Sequence, residues 1–392
     1  MQDIFPDVEP DNAADAGLTA ALQQAACEAG MQPVPALLEK ASQLDGTLGA
    51  RFGVMLVGPA AAGKTTAYRT LLNARNVLSH DCGDGGFVSA QVLNPKALAL
   101  EELYGRHNAL TGEWRDGLAA HIFRSAMDDN AVGTTWVVFD GPVDAVWVES
   151  LNTVLDDSRT LCLPSGERMK LHADKMRVLF EVEDLAAATP ATVSRCGMVF
   201  VPVATASVAP DPLYASWLQA LPQALGFPHT DCAAADGVAT PAQMLLEDLR
   251  AFFCKYVPPA EAWLRSNATE CIPTAQAQRI ASLTAWLQAL LLSAKPTYDL
   301  GNAYPPAARV AVEYMFAFAF VWGLGGALDA SCHEAWDKHV RQLFNGAANF
   351  PGGAGSVFDF CCAPERGYHF QVRFWLLALC CLALQVGLCR VI

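Results

Sequence analysis

Gly58-Pro59-Ala60-Ala61-Ala62-Gly63-Lys64-Thr65 fits the phosphate-loop pattern G-x-x-x-x-G-K followed by Ser or Thr. No other stretch restricts the fold of this chain as strongly. Phe52 to Val57 (FGVMLV) is a short apolar run that predicts a buried parallel strand. Thr66 to Ala74 (TAYRTLLNA) reads as a helix, whose N-terminal dipole favours phosphate. Gly58 and Gly63 let the backbone curl so that its N–H groups point inward at phosphate oxygens. Lys64 carries a point charge to the β- and γ-phosphates, and the Thr65 hydroxyl can sit on Mg²⁺. The candidate phosphate-binding residues are therefore Gly58, Pro59, Ala60, Ala61, Ala62, Gly63, Lys64 and Thr65, together with Thr66.

The second half of such a site is Asp140. Trp136-Val137-Val138-Phe139-Asp140 reads as a buried strand ending in an Asp, and an Asp so placed holds the water shell of Mg²⁺. The next residue is Gly141. ATPases of this build mostly carry a Glu there to activate the attacking water, and glycine has no side chain to do so. Asp144 is close in sequence, but Pro142 and Val143 intervene and turn it elsewhere. The cassette predicts a module that binds ATP and hydrolyses it poorly.

Four zones follow along the chain. Residues 1–48 are a helical lead-in, in which LTAALQQAACEAG is helix-like and ends at a Gly. Residues 49–205 alternate strand and helix, as a parallel α/β sheet requires, with strands expected at 52–57, 88–93, 135–140, 176–181 and 198–203. Thr160 to Leu171 has PSGE between two short runs and reads as a hairpin. Residues 206–345 are rich in Ala and Leu and predict an all-α lid, its helices separated at Pro258-Pro259, Pro273 and Pro305-Pro306. Residues 346–392 form a connector that opens on the loop NFPGGAGS and closes on a divergent apolar end.

Several longer stretches carry a family resemblance. FDGPVDAVWVESLNTVLDDSRTLCLPSGERMKL (Phe139 to Leu171), ATPATVSRCGMVFV (Ala188 to Val201), NPKALALEELYG (Asn94 to Gly105) and GEWRDGLAAHIFR (Gly112 to Arg124) resemble the second AAA+ module of dynein heavy chains. Ile4 to Pro10 and Met31 to Lys40 resemble the segment leading into that module, and Phe316 to Asp329 resembles part of its helical lid. The resemblance covers roughly residues 1–370, and PVDAVW looks more like axonemal than cytoplasmic dyneins.

The resemblance implies an AAA+ P-loop core with a parallel sheet and an all-α lid, within a ring of such modules on one polypeptide. It implies bound ATP (or ADP) with Mg²⁺ and little or no hydrolysis, in agreement with Gly141. Arg195, at the end of a helix before a strand, corresponds to the arginine that reaches the γ-phosphate of the preceding module; a helix-end arginine favoured by the dipole is the plainer reading. Glu181, at a strand end, falls where such proteins place a polar phosphate sensor, although strand-end carboxylates are common. Val34 and Pro35 correspond to residues lining the adenine pocket, with core or turn roles equally open. Partners implied are the neighbouring modules, and, through other parts of a heavy chain, intermediate and light chains and microtubules. The place implied is the cytoskeleton of the cytoplasm, and the axoneme of a cilium or flagellum.

Composition agrees with a large folded core: 392 residues, 53% apolar and 17% charged. A net charge of −14 argues against nucleic acid as a partner. The 13 Cys are scattered with no zinc-ligand spacing, which predicts reduced thiols. The acidic start MQDIFPDVEPD has no hydrophobic signal region. Phe374 to Leu388 is apolar but shorter than the about 20 residues of a membrane span, and reads as a buried or misplaced helix. Two other classes stay open: a stand-alone P-loop ATPase that self-assembles, and a structural fragment that binds no nucleotide.

Overall fold

The computed structural model describes residues 16–82, 86–108, 110–128, 133–202, 212–227, 240–300, 302–345, 350, 355–362 and 370–372. The chain divides into two units, Met1–Thr205 and Ala206–Ile392. Ile4 to Pro10, most of NFPGGAGS and the apolar run from Phe374 lie outside the described residues.

The first unit is built on five strands: β1 (Gly53–Val57), β2 (Val88–Leu93), β3 (Thr134–Asp140), β4 (Met176–Val182) and β5 (Gly197–Phe200). Their order across the sheet is β2-β3-β4-β1-β5, and every pairing is parallel. All five fall where the apolar runs place them; β5 stops at Phe200, short of 203, although Val201 N–H still donates to the Val57 carbonyl at 2.8 Å. Successive residues of a strand face opposite sides of a sheet, and both sides are covered here. Val54, Leu56, Trp136, Val138, Leu179 and Val199 pack with α1 (Ala16–Glu28), α2 (Pro35–Ala50) and α3 (Lys64–Cys82). Met55, Val137, Phe139, Val178 and Phe180 pack on the other side with Leu103, Phe123, Trp147 and Leu161. Near-continuous apolar strands are what a sheet buried on both faces needs.

Two local expectations take shape here. The LTAALQQAACEAG helix gives way to Gly30, whose φ of 70° lets the chain reverse into α2. The insert forms an antiparallel pair, Thr160–Cys162 with Arg168–Lys170, turned at Gly166 with φ 88°.

The second unit is helical: Pro212–Leu225, Pro241–Asn267, Gln276–Tyr298, Pro306–Gly325 and His333–Leu343 share one apolar core. One expectation fails. Pro258-Pro259 does not separate helices but lies inside the single helix Pro241–Asn267. Proline costs a helix interior its N–H bond and some steric strain, yet here Phe253, Tyr256, Val257, Ala260 and Leu264 on the flanking turns are buried and hold the helix together. Pro273 and Pro305-Pro306 do fall between helices or at a helix start. Pro306–Gly325 is long and apolar enough to cross a membrane by length and composition. Most of it is buried in the lid core, where Gly323 lets Leu283 approach. Val357, Phe358 and Cys362, beyond residue 345, belong to that same core.

One buried charge network ties the lid together. Arg279 Nε and Nη2 donate to the two carboxylate oxygens of Glu261 at 3.0 and 2.7 Å, and Nη1 donates to Glu270 at 3.0 Å. The Arg279 and Glu261 side chains are only 10% and 3% exposed. Removing Glu261 leaves the buried Arg279 charge with only the Glu270 carboxylate to compensate it. Glu261→Ala is therefore expected to destabilise the lid by about 3–5 kcal/mol, read as a shift in urea unfolding, whereas Lys338→Ala, at the exposed pair with Glu334, should leave the unfolding midpoint nearly unchanged.

Candidate nucleotide site

The phosphate loop begins where β1 ends. Gly58 N–H donates to the Val182 carbonyl at 3.1 Å, so the loop leaves the sheet beside β4. A side-chain carbon on Gly58 would collide with the Val201 carbonyl oxygen, which explains glycine there. The turn is completed by two left-handed residues, Ala61 (φ 60°) and Gly63 (φ 96°). The Gly63 carbonyl then accepts from Ala67 N–H at 2.8 Å and α3 runs from Lys64, two residues before the expected start and well past Ala74.

Lys64 is buried and reaches back across its own loop, donating to the Gly58 and Pro59 carbonyls at 2.6 and 2.9 Å. Thr65 Oγ1 donates to Glu181 Oε1 at 2.5 Å. Thr66, Ala60, Ala61 and Ala62 line the outer part of the loop and are exposed or half-buried. Leu37, on the first turn of α2, would stand 3.6 Å from a side-chain carbon on Gly63. The Val34 carbonyl caps that turn, accepting from Leu37 and Leu38 at 3.0 Å, and Pro35 is the first helical residue. The α1–α2 turn thus lies near the phosphate loop, with a half-buried Val34 and an exposed Pro35.

Sheet order sets the rest. β4 sits between β1 and β3, and Glu181 pairs in register with Leu56 on one side and Asp140 on the other. Registered neighbours in a parallel sheet project to the same face, so the two carboxylates stand side by side. Asp140 is exposed, while Glu181 is half-buried, with Oε2 buried and without a hydrogen-bond partner among the described residues. Burial raises the Glu181 pKa above the ordinary carboxylate range; the Thr65 hydrogen bond opposes this and the Asp140 charge adds to it. Behind them Phe139 stacks on Phe180 and Trp147 at 5.4 and 5.2 Å, and Trp147 Nε1 donates to the Pro142 carbonyl at 3.2 Å, fixing the turn after Asp140.

Gly141 occupies the position after Asp140 with φ 157°, at the edge of the region open to glycine, and its N–H donates to the Glu181 carbonyl at 3.2 Å. A side-chain carbon there would lie 3.1 Å from Asn94 Oδ1. Asn94 was not a candidate from sequence; only the β2–β3 pairing brings it to this turn. Asp144 is engaged locally: Oδ1 accepts from Val146 and Trp147 N–H at 3.0 and 3.2 Å, and the other oxygen pairs with Lys96, which holds its pKa below the usual carboxylate range.

Arg195 ends the helix Pro190–Arg195, which Thr189 caps by accepting from Thr192 N–H at 3.3 Å. Its Nε is ion-paired with Asp156, and Nη1 donates to the Ala191 carbonyl at 2.7 Å. Those are its partners among the described residues, and neither belongs to the phosphate loop. Asp156 was missed from sequence, since nothing local in LDDS marks one carboxylate as the arginine's partner.

Among the described residues no group of three or more His, Cys, Asp or Glu could hold a metal by itself. A hydroxyl and two carboxylates, one with an orphaned buried oxygen, do suit a hard divalent cation that completes its shell with phosphate oxygens and water. The fold and loop together define a P-loop nucleotide-binding module followed by a helical lid.

Family models agree with that class. "Hydrolytic ATP binding site of dynein motor region" matches residues 1–65, "AAA domain (dynein-related subfamily)" matches 53–196, and "Dynein heavy chain AAA lid domain" matches 249–371. Dynein axonemal heavy chain 6 of Homo sapiens is 34% identical over 350 residues, 88% of this chain. Dynein axonemal heavy chain 2 of Homo sapiens is 33% identical over 377 residues, 96% of this chain. The Dynein-1-beta heavy chain, flagellar inner arm I1 complex, of Chlamydomonas reinhardtii is 33% identical over 398 residues, 93% of this chain. The chain belongs to the dynein heavy chain family and is an AAA module with an ATP-binding site. It spans 8% of the length of these relatives.

The loop geometry is testable through its glycines. Gly58→Ala is expected to displace either the loop or the end of β5, costing about 1–3 kcal/mol by overpacking together with nucleotide binding. Gly46→Ala, in α2 with open space around it, should be neutral or stabilising by up to about 1 kcal/mol; thermal melts of the two variants check this.

Proposed function

We propose that this chain is the second AAA+ module of an axonemal-type dynein heavy chain, and that it binds MgATP and keeps it with little or no hydrolysis. Gly58 to Thr65 hold the phosphates, with Lys64 exchanging the Gly58 and Pro59 carbonyls for phosphate oxygens. Thr65 and, through water, Asp140 would hold Mg²⁺, which neutralises phosphate charge when bound. The observation that carries the reading is Gly141. The backbone that follows Asp140 offers no carboxylate to orient water, and its conformation and the nearby Asn94 carboxamide leave little room for one. Bound nucleotide then serves to stiffen the module or to regulate its neighbours in the heavy chain. Microtubules and the intermediate and light chains would be engaged by other parts of that heavy chain, in the cytoskeleton of a cilium or flagellum.

ATP at a hundredfold its dissociation constant should add about 2.7 kcal/mol to the stability of the nucleotide-binding unit. Lys64→Ala should remove that gain by deleting the charge that meets the phosphates. Steady turnover is expected far below about 1 s⁻¹; turnover at or above that rate, scaling with self-assembly, would instead favour a stand-alone ATPase. Equal affinity of wild type and Lys64→Ala would refute binding through the phosphate loop, and no stabilisation of wild type by ATP would leave a structural fragment that binds no nucleotide. Gly141→Glu should gain little activity, because the new side chain meets a strained backbone and Asn94.

Arg195 is proposed as a finger for the preceding module. Such arginines stabilise charge on the transferring phosphoryl group and are worth roughly 10³–10⁵ in rate. The pairing with Asp156 would hold its guanidinium at the helix end until a neighbour's phosphate is presented. Arg195→Ala should leave ATP affinity of this chain unchanged and cut turnover and microtubule gliding of the full-length heavy chain severely. Arg195→Lys should rescue poorly, for want of the planar fork. Loss of ATP binding in the isolated chain, or intact turnover in the full-length protein, would return Arg195 to a helix-end role.

A further inference from the structure

The family resemblance implies a polar phosphate sensor at the strand end that carries Glu181, and a carboxylate suits that task badly. Ionised, it has no proton to give, and its charge repels phosphate at short range. What Glu181 does instead is accept the Thr65 hydroxyl proton at 2.5 Å. A threonine hydroxyl has one proton and two lone pairs. With the proton committed to Glu181, the lone pairs of Thr65 are free for a cation. The other Glu181 oxygen is buried and has no hydrogen-bond partner among the described residues. By register Glu181 stands between Leu56, just before the phosphate loop, and Asp140. It is thus the carboxylate nearer the loop, on the same face as Asp140. Metal-ligating groups are routinely fixed by a neighbour that takes their hydrogen bond, and loss of that neighbour typically costs about 10–100-fold in metal affinity.

We propose that Glu181 is a positioning residue of the cation site and not a phosphate sensor: it orients the Thr65 hydroxyl toward Mg²⁺ and offers its second oxygen to metal-bound water, so that this module takes nucleotide only as the metal complex. The inference rests on MgATP binding through Gly58 to Thr65. Its particular consequence is a sign difference. Beside two carboxylates, metal-free ATP is repelled, so removing the charge at 181 weakens binding with Mg²⁺ and relieves repulsion without it.

The test is a titration of the 392-residue chain with a fluorescent ATP analogue, once in excess Mg²⁺ and once in EDTA. Wild type should bind with Mg²⁺ and far more weakly in EDTA. Glu181→Gln, nearly the same in shape, should bind the Mg²⁺ complex about tenfold or more weakly and the metal-free analogue as well as wild type or better. Equal losses in both arms would make Glu181 a phosphate contact or a packing residue, and no loss in either would make it a bystander; each overturns the inference while leaving ATP binding standing. Wild type that binds in neither arm overturns the proposed function and this inference with it. If circular dichroism shows Glu181→Gln unfolded, Glu181→Asp answers the same question. Its shorter carboxylate keeps the charge but withdraws from Thr65, so Mg²⁺-supported binding should fall and EDTA binding stay put; unchanged Mg²⁺-supported affinity contradicts the proposal.

Discussion

The pairing of β4 between β1 and β3 is the constraint on which the rest of the nucleotide unit depends. Parallel strands held in register bring their C-terminal ends to one edge, where ligands of open α/β sheets bind. Because β4 separates the loop-bearing strand from the one ending in Asp140, Glu181 comes to stand beside both. The stacked Phe139, Phe180 and Trp147 rings hold those ends rigid from behind. An error in this pairing would scatter the acidic pair, the loop and the turn at Gly141 together.

Given that frame, the proposed function separates binding from chemistry. The elements that bind phosphate are present: inward-curling backbone, a buried lysine and a hydroxyl at the helix start. The position after Asp140 is a glycine with φ 157°, without a side chain. Phosphoryl transfer relies on positioning and electrostatics, and on the proposed reading a site that does not aim water would keep its nucleotide as a structural part.

Features that depend on local pattern were legible in the sequence. The phosphate loop, Asp140, Gly141, the apolar strands and the hairpin at Thr160 are each written in a short run of residues, and long stretches such as Phe139 to Leu171 carry the family. What was not legible depends on pairing between distant segments. The Thr65–Glu181 hydrogen bond needs the strand order; the Asn94 carboxamide reaches Gly141 only through the β2–β3 ladder. The strand-end position of Glu181 is visible in the sequence, and its partner Thr65 is not. Asp156 meets Arg195 only once the helix Pro190–Arg195 is laid against its neighbour. Pro258-Pro259 misled for the opposite reason: a strong local signal for a break is overridden by tertiary packing of Phe253, Tyr256, Val257, Ala260 and Leu264.

The central claim is that bound ATP survives in this site. The direct measurement is to load the purified chain with MgATP, remove free nucleotide, hold the complex for hours, quench it in acid and separate what is released. The account predicts ATP, with ADP no more abundant than in a protein-free control. ADP as the main released species would contradict it and would mean that a group other than residue 141 activates water here.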